Sequence, residues 1–286
     1  MKRIKQKVIA TCTTIPSRCE HVVEMAKSLF ENVAYAPDLL VLNLFKGDWP
    51  DGLPDFISEY QKIEKRFEVY WTEENYWSAT KLIPSIKRFP EAVLIAVDDD
   101  KLYQPTLVST LLSKHLEHPN CVVSMKCEKI RRVFGKIEIS VYGQSSLEED
   151  LYMIPCTGAG CLFPPHVFDK THVADAKMFE EWQKPQDDRW WWMNYTMNGV
   201  KSVSAVEFFS DIQFRSKDFT TADAIHNYLW VPENIRELDR KCCEWLSKNS
   251  QLVFMNIPSM KISGIQNIGN DVVLIDEYGI SRKLVK

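Results

Sequence analysis

Two acidic clusters hold the residues with most to offer chemically. Asp98-Asp99-Asp100 closes the apolar run Ala92-Val93-Leu94-Ile95-Ala96-Val97. Three adjacent carboxylates repel one another and raise their own pKa values unless a cation sits among them. Oxygen ligands of this kind suit a divalent metal, with room for a phosphate. An acidic turn capping the next helix accounts for the triplet equally well. The second cluster, Asp187-Asp188, heads the stretch Gln186-Asp187-Asp188-Arg189-Trp190-Trp191-Trp192. Carboxylates at a helix start favour the helix dipole. Buried beside tryptophans, one of them could instead have a raised pKa and act as a general base. The tryptophans offer either a platform for a sugar ring or material for a core.

Four further segments bring complementary groups. Thr13-Thr14-Ile15-Pro16-Ser17-Arg18 supplies hydroxyls, backbone N–H groups and a guanidinium, with Ser17 placed to cap a helix that Arg18 opens. That set suits a nucleotide, or a plain N-cap with a surface arginine. Lys81, after Trp77-Ser78-Ala79-Thr80, begins a helix and could reach a diphosphate or stay in solvent. In Cys156-Thr157-Gly158-Ala159-Gly160-Cys161 two glycines allow a backbone to approach a ligand closely, or let two strands cross; the spacing is neither a dinucleotide fingerprint nor a P-loop. His226, in Thr221 to Tyr228, could complete a metal shell as a neutral imidazole or be structural.

The elements that must position these groups follow from periodicity. Short apolar runs at Val8–Thr14, Leu39–Leu44, Phe67–Trp71 and Ala92–Val97 read as buried strands. Helical spacing appears over Arg18–Asn32, Asp55–Lys65, Ser78–Arg88 and Pro105–Glu117, with Pro84 marking a start or a kink in the third. Strands alternating with helices predict a mostly parallel, Rossmann-like sheet, whose ligands bind past the carboxyl ends of the strands. From Cys121 the pattern becomes mixed: a strand to Met125, a hairpin around Gly135-Lys136, turn and strand over Met153–Phe163, a helix over Asp187–Met197 and a strand over Val200–Val206. A charged amphipathic helix over Ile235–Ser247 precedes short strands with turns at Gly269-Asn270 and Gly279. No repeat or linker divides the 286 residues, so one domain is expected, with an elaborated second half.

Bulk properties narrow the function. Hydrophobic content of 45% and charged content of 26% are globular values. A net charge of -4 lacks the basic field that sequence-independent nucleic-acid binding needs, so no nucleic-acid partner is expected. The 8 cysteines include no CxxC pair, which disfavours a zinc ribbon or a thioredoxin-like site. No signal peptide and no membrane-length apolar run appears, and a cytoplasmic location is expected.

Taken in order, Thr14-Ile15-Pro16-Ser17-Arg18, the Asp98–Asp100 triplet, Gly158-Ala159-Gly160 and Asp187-Asp188 resemble GT-A-fold glycosyltransferases of bacterial surface-polysaccharide assembly. The resemblance spans residues 8 to 195. It implies a GT-A, Rossmann-like α/β fold with a mixed, mostly parallel sheet, a nucleotide-sugar-binding half over 1–125, an acceptor and catalytic half over 126–230, and a smaller C-terminal part over 231–286. It further implies transfer from a nucleotide-diphosphate sugar, UDP by default, to a saccharide or lipid-linked acceptor. Asp98 and Asp100 then stand at the DxD positions, with Mn2+ or Mg2+ on Asp100 and Asp98 and His226 as a late metal ligand. Thr13, Thr14, Pro16, Arg18, Lys81, Asp98 and Asp99 line the donor site. Gly158, Ala159 and Gly160 form a strand beside donor sugar and acceptor, and Asp188 or Asp187 supplies the base of an inverting reaction. A lipid-linked acceptor would bring the protein to the inner membrane face. Three alternatives stay open: a retaining transferase, a nucleotidyltransferase of similar sheet (though Thr13–Arg18 has no glycine for its loop), and a non-catalytic Ca2+-dependent carbohydrate binder.

Overall fold

The computed structural model describes residues 4–133, 136–140, 147–183, 187–206, scattered positions between 238 and 248, and 262–268, 271–276 and 281–283. In chain order the elements are β1 (Val8–Thr13), α1 (Val22–Phe30), β2 (Leu39–Phe45), α2 (Asp55–Ile63), β3 (Phe67–Thr72), α3 (Ile83–Arg88), β4 (Val93–Ala96), α4 (Leu107–Glu117) and β5 (Val122–Ser124). There follow β6 (Cys127–Val133), β7 (Lys136–Ser140), β8 (Met153–Pro155), β9 (Cys161–Phe163), α5 (Ala176–Gln183), α6 (Asp187–Met197) and β10 (Ser202–Ser204). The C-terminal strands are β11 (Ile262–Ile268), β12 (Asp271–Asp276) and β13 (Ser281–Lys283).

A seven-stranded sheet of order β10-β5-β9-β4-β1-β2-β3 organises the chain. Strands β4, β1, β2 and β3 run parallel, and β10 runs parallel to β5. Strand β9 alone opposes its neighbours, pairing antiparallel with both β4 and β5. The chain therefore re-enters the sheet from the end at which β4 leaves it: Ala96 pairs with Cys161, so the glycine segment before β9 lies against the acidic segment after β4. Two three-stranded sheets, β7-β6-β8 and β11-β12-β13, complete the described strands.

The central strands are apolar on both faces because both faces are covered. Val8, Ala10 and Cys12 of β1 pack in one layer with Met25 and Leu29 of α1 and Leu111 of α4. Ile9 of β1, Val41 of β2 and Leu94 of β4 face the other layer, which contains Ile83, Phe179 and Trp190, Trp191 and Trp192. All three tryptophans are buried, as is every residue of α6 from Arg189 to Thr196. A helix enclosed on all sides needs apolar bulk all round. The tryptophans are thus core and offer no platform to a sugar.

Several boundaries differ from expectation. The first helix begins at Val22 rather than Arg18: residues 15–18 make a turn closed by Arg18 N–H on the Ile15 carbonyl at 3.0 Å, and a short 3-10 turn at Cys19–His21 follows. Ser17 is exposed and caps nothing. Lys81 ends a 3-10 turn, Trp77–Lys81, and α3 starts afterwards with Pro84 in its first turn, where proline's missing N–H does no harm. Gly158, Ala159 and Gly160 form a turn rather than a strand. Thr157–Ala159 is a single 3-10 turn and Gly160 has φ +100°, a left-handed conformation suited to glycine. Helical positions between 238 and 248 agree with the expected amphipathic helix, and Cys242 and Leu246 join the core beside α6.

Trp191 tests the burial assignment. Trp191→Ala is expected to lower stability by about 3–5 kcal/mol in denaturant unfolding; a stable variant with impaired saccharide binding would place this ring at a ligand instead.

Candidate functional site

The sheet alternation places Thr11 of β1 and Asn43 of β2 on the same face as Ile9 and Val41, yet both are polar and fully buried. Their partners explain them. Asn43 Nδ2 donates to Thr11 Oγ1 at 2.9 Å and Ser85 Oγ at 3.0 Å, and reaches the Lys81 carbonyl at 3.2 Å; Thr11 Oγ1 also donates to that carbonyl. These buried hydrogen bonds rigidify what they join, and here they hold the backbone of Lys81, while Asn43 Oδ1 has no partner. The turn leading to it starts at Trp77, whose φ of +47° is unusual for so large a residue. Its N–H bonds Asn75 Oδ1 at 2.8 Å and its ring stacks on Phe179.

From this anchor the Lys81 ammonium, buried, reaches Asp98 Oδ1 at 2.6 Å and Asp187 Oδ2 at 2.9 Å. It therefore joins the end of β4 to the start of α6. Burial works against its charge, but Asp187 and Asp98 outweigh it and raise the lysine pKa well above the usual value. Burial likewise opposes ionisation of Asp98, yet Lys81 and then Lys101 hold its carboxyl down at about 2.

The next two carboxylates belong to Arg18. Its Nη2 donates to Asp99 Oδ1 and to Asp100 Oδ2, both at 2.9 Å. Burial raises Asp99 to about 6, against the pull of Arg18 and a hydrogen bond from Thr14. Lys101 lies 3.7 Å from Asp100 Oδ1. Asp188, partly buried, accepts from the Thr157 N–H at 2.9 Å and its hydroxyl at 2.6 Å. Burial and the adjacent Asp187 outweigh these bonds and Lys81, and raise Asp188 to about 7.

Gly158 is the close approach in this arrangement: a Cβ there would fall 2.3 Å from Asp98 Oδ2. Tyr103 fastens the two turns together, its hydroxyl accepting from Asp98 N–H at 2.8 Å and donating to the Gly158 carbonyl at 3.1 Å. Five carboxylates (Asp98, Asp99, Asp100, Asp187, Asp188) thus meet three cations (Arg18, Lys81, Lys101), leaving two negative charges uncompensated when all are ionised. Asp100 Oδ1 is buried without a hydrogen bond, and so is Arg18 Nε. A left-over acceptor oxygen suits a divalent cation, and a left-over guanidinium N–H suits an anionic group.

No family model matches the sequence, and no curated protein matches it. Solved structures do. TarS 1-349 from S. aureus aligns with a TM-score of 0.50 at 16% identity, over 87% of this chain and 67% of that one. The mannosyltransferase PcManGT from Pyrobaculum calidifontis, solved in complex with GDP-Man and Mn2+, aligns with a TM-score of 0.53 at 12% identity, over 88% of this chain and 66% of that one. The fold is GT-A-like. This chain spans about two thirds of the length of each of those proteins.

In this GT-A-like chain Arg18, Lys81, Asp98, Asp99, Asp100, Gly158, Asp187 and Asp188 come together at the carboxyl end of β4. Thr14 is buried beside Asp99, Thr13 is partly exposed at the end of β1, and Ala159 and Gly160 are buried in the turn. Pro16 is exposed and makes no described contact with the acidic groups. His226 lies outside the described residues. Sequence reasoning missed Thr157, Tyr103, Lys101 and the Thr11–Asn43–Ser85 network. Only the last left a trace, as polar residues inside two apolar runs.

Lys81→Met removes the cation and leaves Asp98 and Asp187 facing each other. A loss of about 3–5 kcal/mol is expected in urea unfolding at neutral pH, and a variant as stable as the parent would show that this ion pair does not tie β4 to α6.

Proposed function

We propose that the chain is a metal-dependent glycosyltransferase that moves a sugar from a nucleotide-diphosphate sugar to a hydroxyl of a saccharide or lipid-linked acceptor. One observation carries this reading: five carboxylates against three cations, with a carboxylate oxygen of Asp100 that accepts no hydrogen bond, sit at the rim of a GT-A-like sheet where open α/β sheets take their ligands. Mn2+ in the mannosyltransferase structure supports the choice of metal. Asp100 and Asp98 are the residues that would hold Mn2+ or Mg2+, which supplies Lewis-acid neutralisation of the departing diphosphate.

The chain's own residues account for the rest. Arg18 is positioned by Asp99 and Asp100 with its Nε free to donate to a phosphate oxygen. Thr13, Thr14 and Arg18 form the nucleotide side of the site, and the Gly158 turn brings backbone up to the donor sugar. Asp188 takes the proton from the acceptor hydroxyl as its oxygen bonds to the anomeric carbon and the bond to the diphosphate oxygen breaks, which gives an inverted product. Asp187 is neutralised by Lys81 and serves to place it, so Asp188 is the better base. Held near 7, it is matched to proton transfer near neutral pH. Among the described residues no helix is long and apolar enough to cross a membrane.

Incubation with a panel of UDP-, GDP- and CMP-sugars, with and without Mn2+, tests the reading directly. Metal-dependent release of the nucleotide is expected for at least one donor. Binding of saccharides without any release above background would instead indicate a carbohydrate-binding protein. Proton NMR of the first-formed product reads the stereochemistry.

Asp188→Asn is expected to reduce transfer by about 10²–10⁴-fold while donor binding persists. In the parent, kcat/KM is expected to rise with pH through about 7, because a carboxyl raised in pKa becomes a base only as it loses its proton. Unchanged transfer in the variant, or a profile flat between pH 5 and 8, would remove Asp188 from that role.

A further inference from the structure

A second set of ligand-type side chains lies at the opposite rim of the sheet. Strand β5 runs parallel to β4, since both oppose β9, so Cys121, just before β5, stands at the end remote from Asp98. His118 caps the C-terminus of α4, and Cys121 N–H bonds the His118 carbonyl at 3.1 Å. That turn presents imidazole and thiol together. Glu149 is carried in from a distant part of the chain: its neighbour Asp150 exchanges backbone hydrogen bonds of 2.9 and 3.0 Å with Ser202 of β10. The ligand atoms of His118, Cys121 and Glu149 all lie within 4.8 Å of one another. Among the described residues these three are the one group of His, Cys and acidic side chains that converges so closely.

We infer that His118, Cys121 and Glu149 form a zinc site, separate from the sugar-transfer centre, that ties the end of α4 to the start of β5 and to the segment beside β10. The chemistry of the donors selects the ion. One thiolate, one imidazole and one carboxylate suit Zn2+, whereas Mg2+ and Mn2+ favour oxygen alone. The present contacts mark where the ion goes: His118 Nδ1 lies 3.0 Å from Glu149 Oε1, a separation two ligands of one tetrahedral ion can hold. Lys201 Nζ, 3.4 Å from Glu149 Oε2, keeps the other oxygen and fixes the carboxylate from outside, as partners of metal ligands commonly do. Binding releases the Cys121 thiol proton to solvent, so Zn2+ together with one thiolate, one carboxylate and one neutral imidazole has no net charge. The C-terminal end of α4 also favours a cation. His118 and Glu149 are solvent-accessible, which leaves an entry path and a fourth position for water.

Cobalt(II) titration of the chelator-treated, full-length protein tests this. A thiolate-to-cobalt charge-transfer band and tetrahedral d–d absorption are expected, saturating at one equivalent and abolished by Zn2+. The all-oxygen centre at Asp98 and Asp100 cannot give the thiolate band, so an ion there is told apart. Cys121→Ser should remove the band, and Glu149→Gln, at an exposed position that need not disturb folding, should weaken binding by about tenfold or more while Mn2+-dependent sugar transfer stays unchanged. Absence of the band in the parent protein, or its persistence in a folded Cys121→Ser variant, overturns the site.

Discussion

The structure depends on one buried ammonium. Lys81 sits out of water between Asp98 and Asp187, and neither the end of β4 nor the start of α6 could present a carboxylate there without it. A buried pair of this kind adds little stability over apolar packing, but removing one member leaves an uncompensated charge. The pair therefore specifies more than it stabilises: it brings residues from two distant stretches of chain to a common point. The Thr11–Asn43–Ser85 network serves the same end from beneath, by fixing the Lys81 carbonyl. The acidic rim is held by a polar foundation that passes through the apolar core.

Topology and electrostatics meet at Gly158. Because β9 runs against β4, the turn before it closes over the acidic segment, and any side chain at Gly158 would displace the Asp98 carboxylate that Lys81 holds. Thr157 in the same turn grips Asp188, and Tyr103 ties the turn back to Asp98. The five carboxylates differ accordingly. Asp98 is held ionised by Lys81, whereas Asp188 keeps a proton into the neutral range because burial and Asp187 outweigh its hydrogen bonds. Neighbouring carboxyl groups pushed apart in pKa can divide the roles of charge carrier and base between them.

Much of the fold was legible because parallel strands covered on both faces read as continuous apolar runs, as in Leu39–Leu44 and Ala92–Val97. The position of the acidic triplet followed from the same runs. Helix starts were less legible: Thr13–Arg18 carries cap-like residues, but a turn closed on Ile15 delays α1 to Val22. Consecutive tryptophans on a helix point in different directions, and nothing in their spacing says that α6 is enclosed on every side. The partners of Lys81, and the grip of Thr157 on Asp188, depend on strand register between segments far apart in the chain, and no local pattern encodes that.

Under the proposed function the acidic rim is a shared seat for a divalent cation and a diphosphate. Isothermal titration of Mn2+ in the absence and presence of UDP or GDP measures this coupling most directly. One of these nucleotides is expected to tighten Mn2+ binding by about 5–150-fold, and Mn2+ to tighten the nucleotide by the same factor. Equal Mn2+ affinity with and without either nucleotide would contradict it.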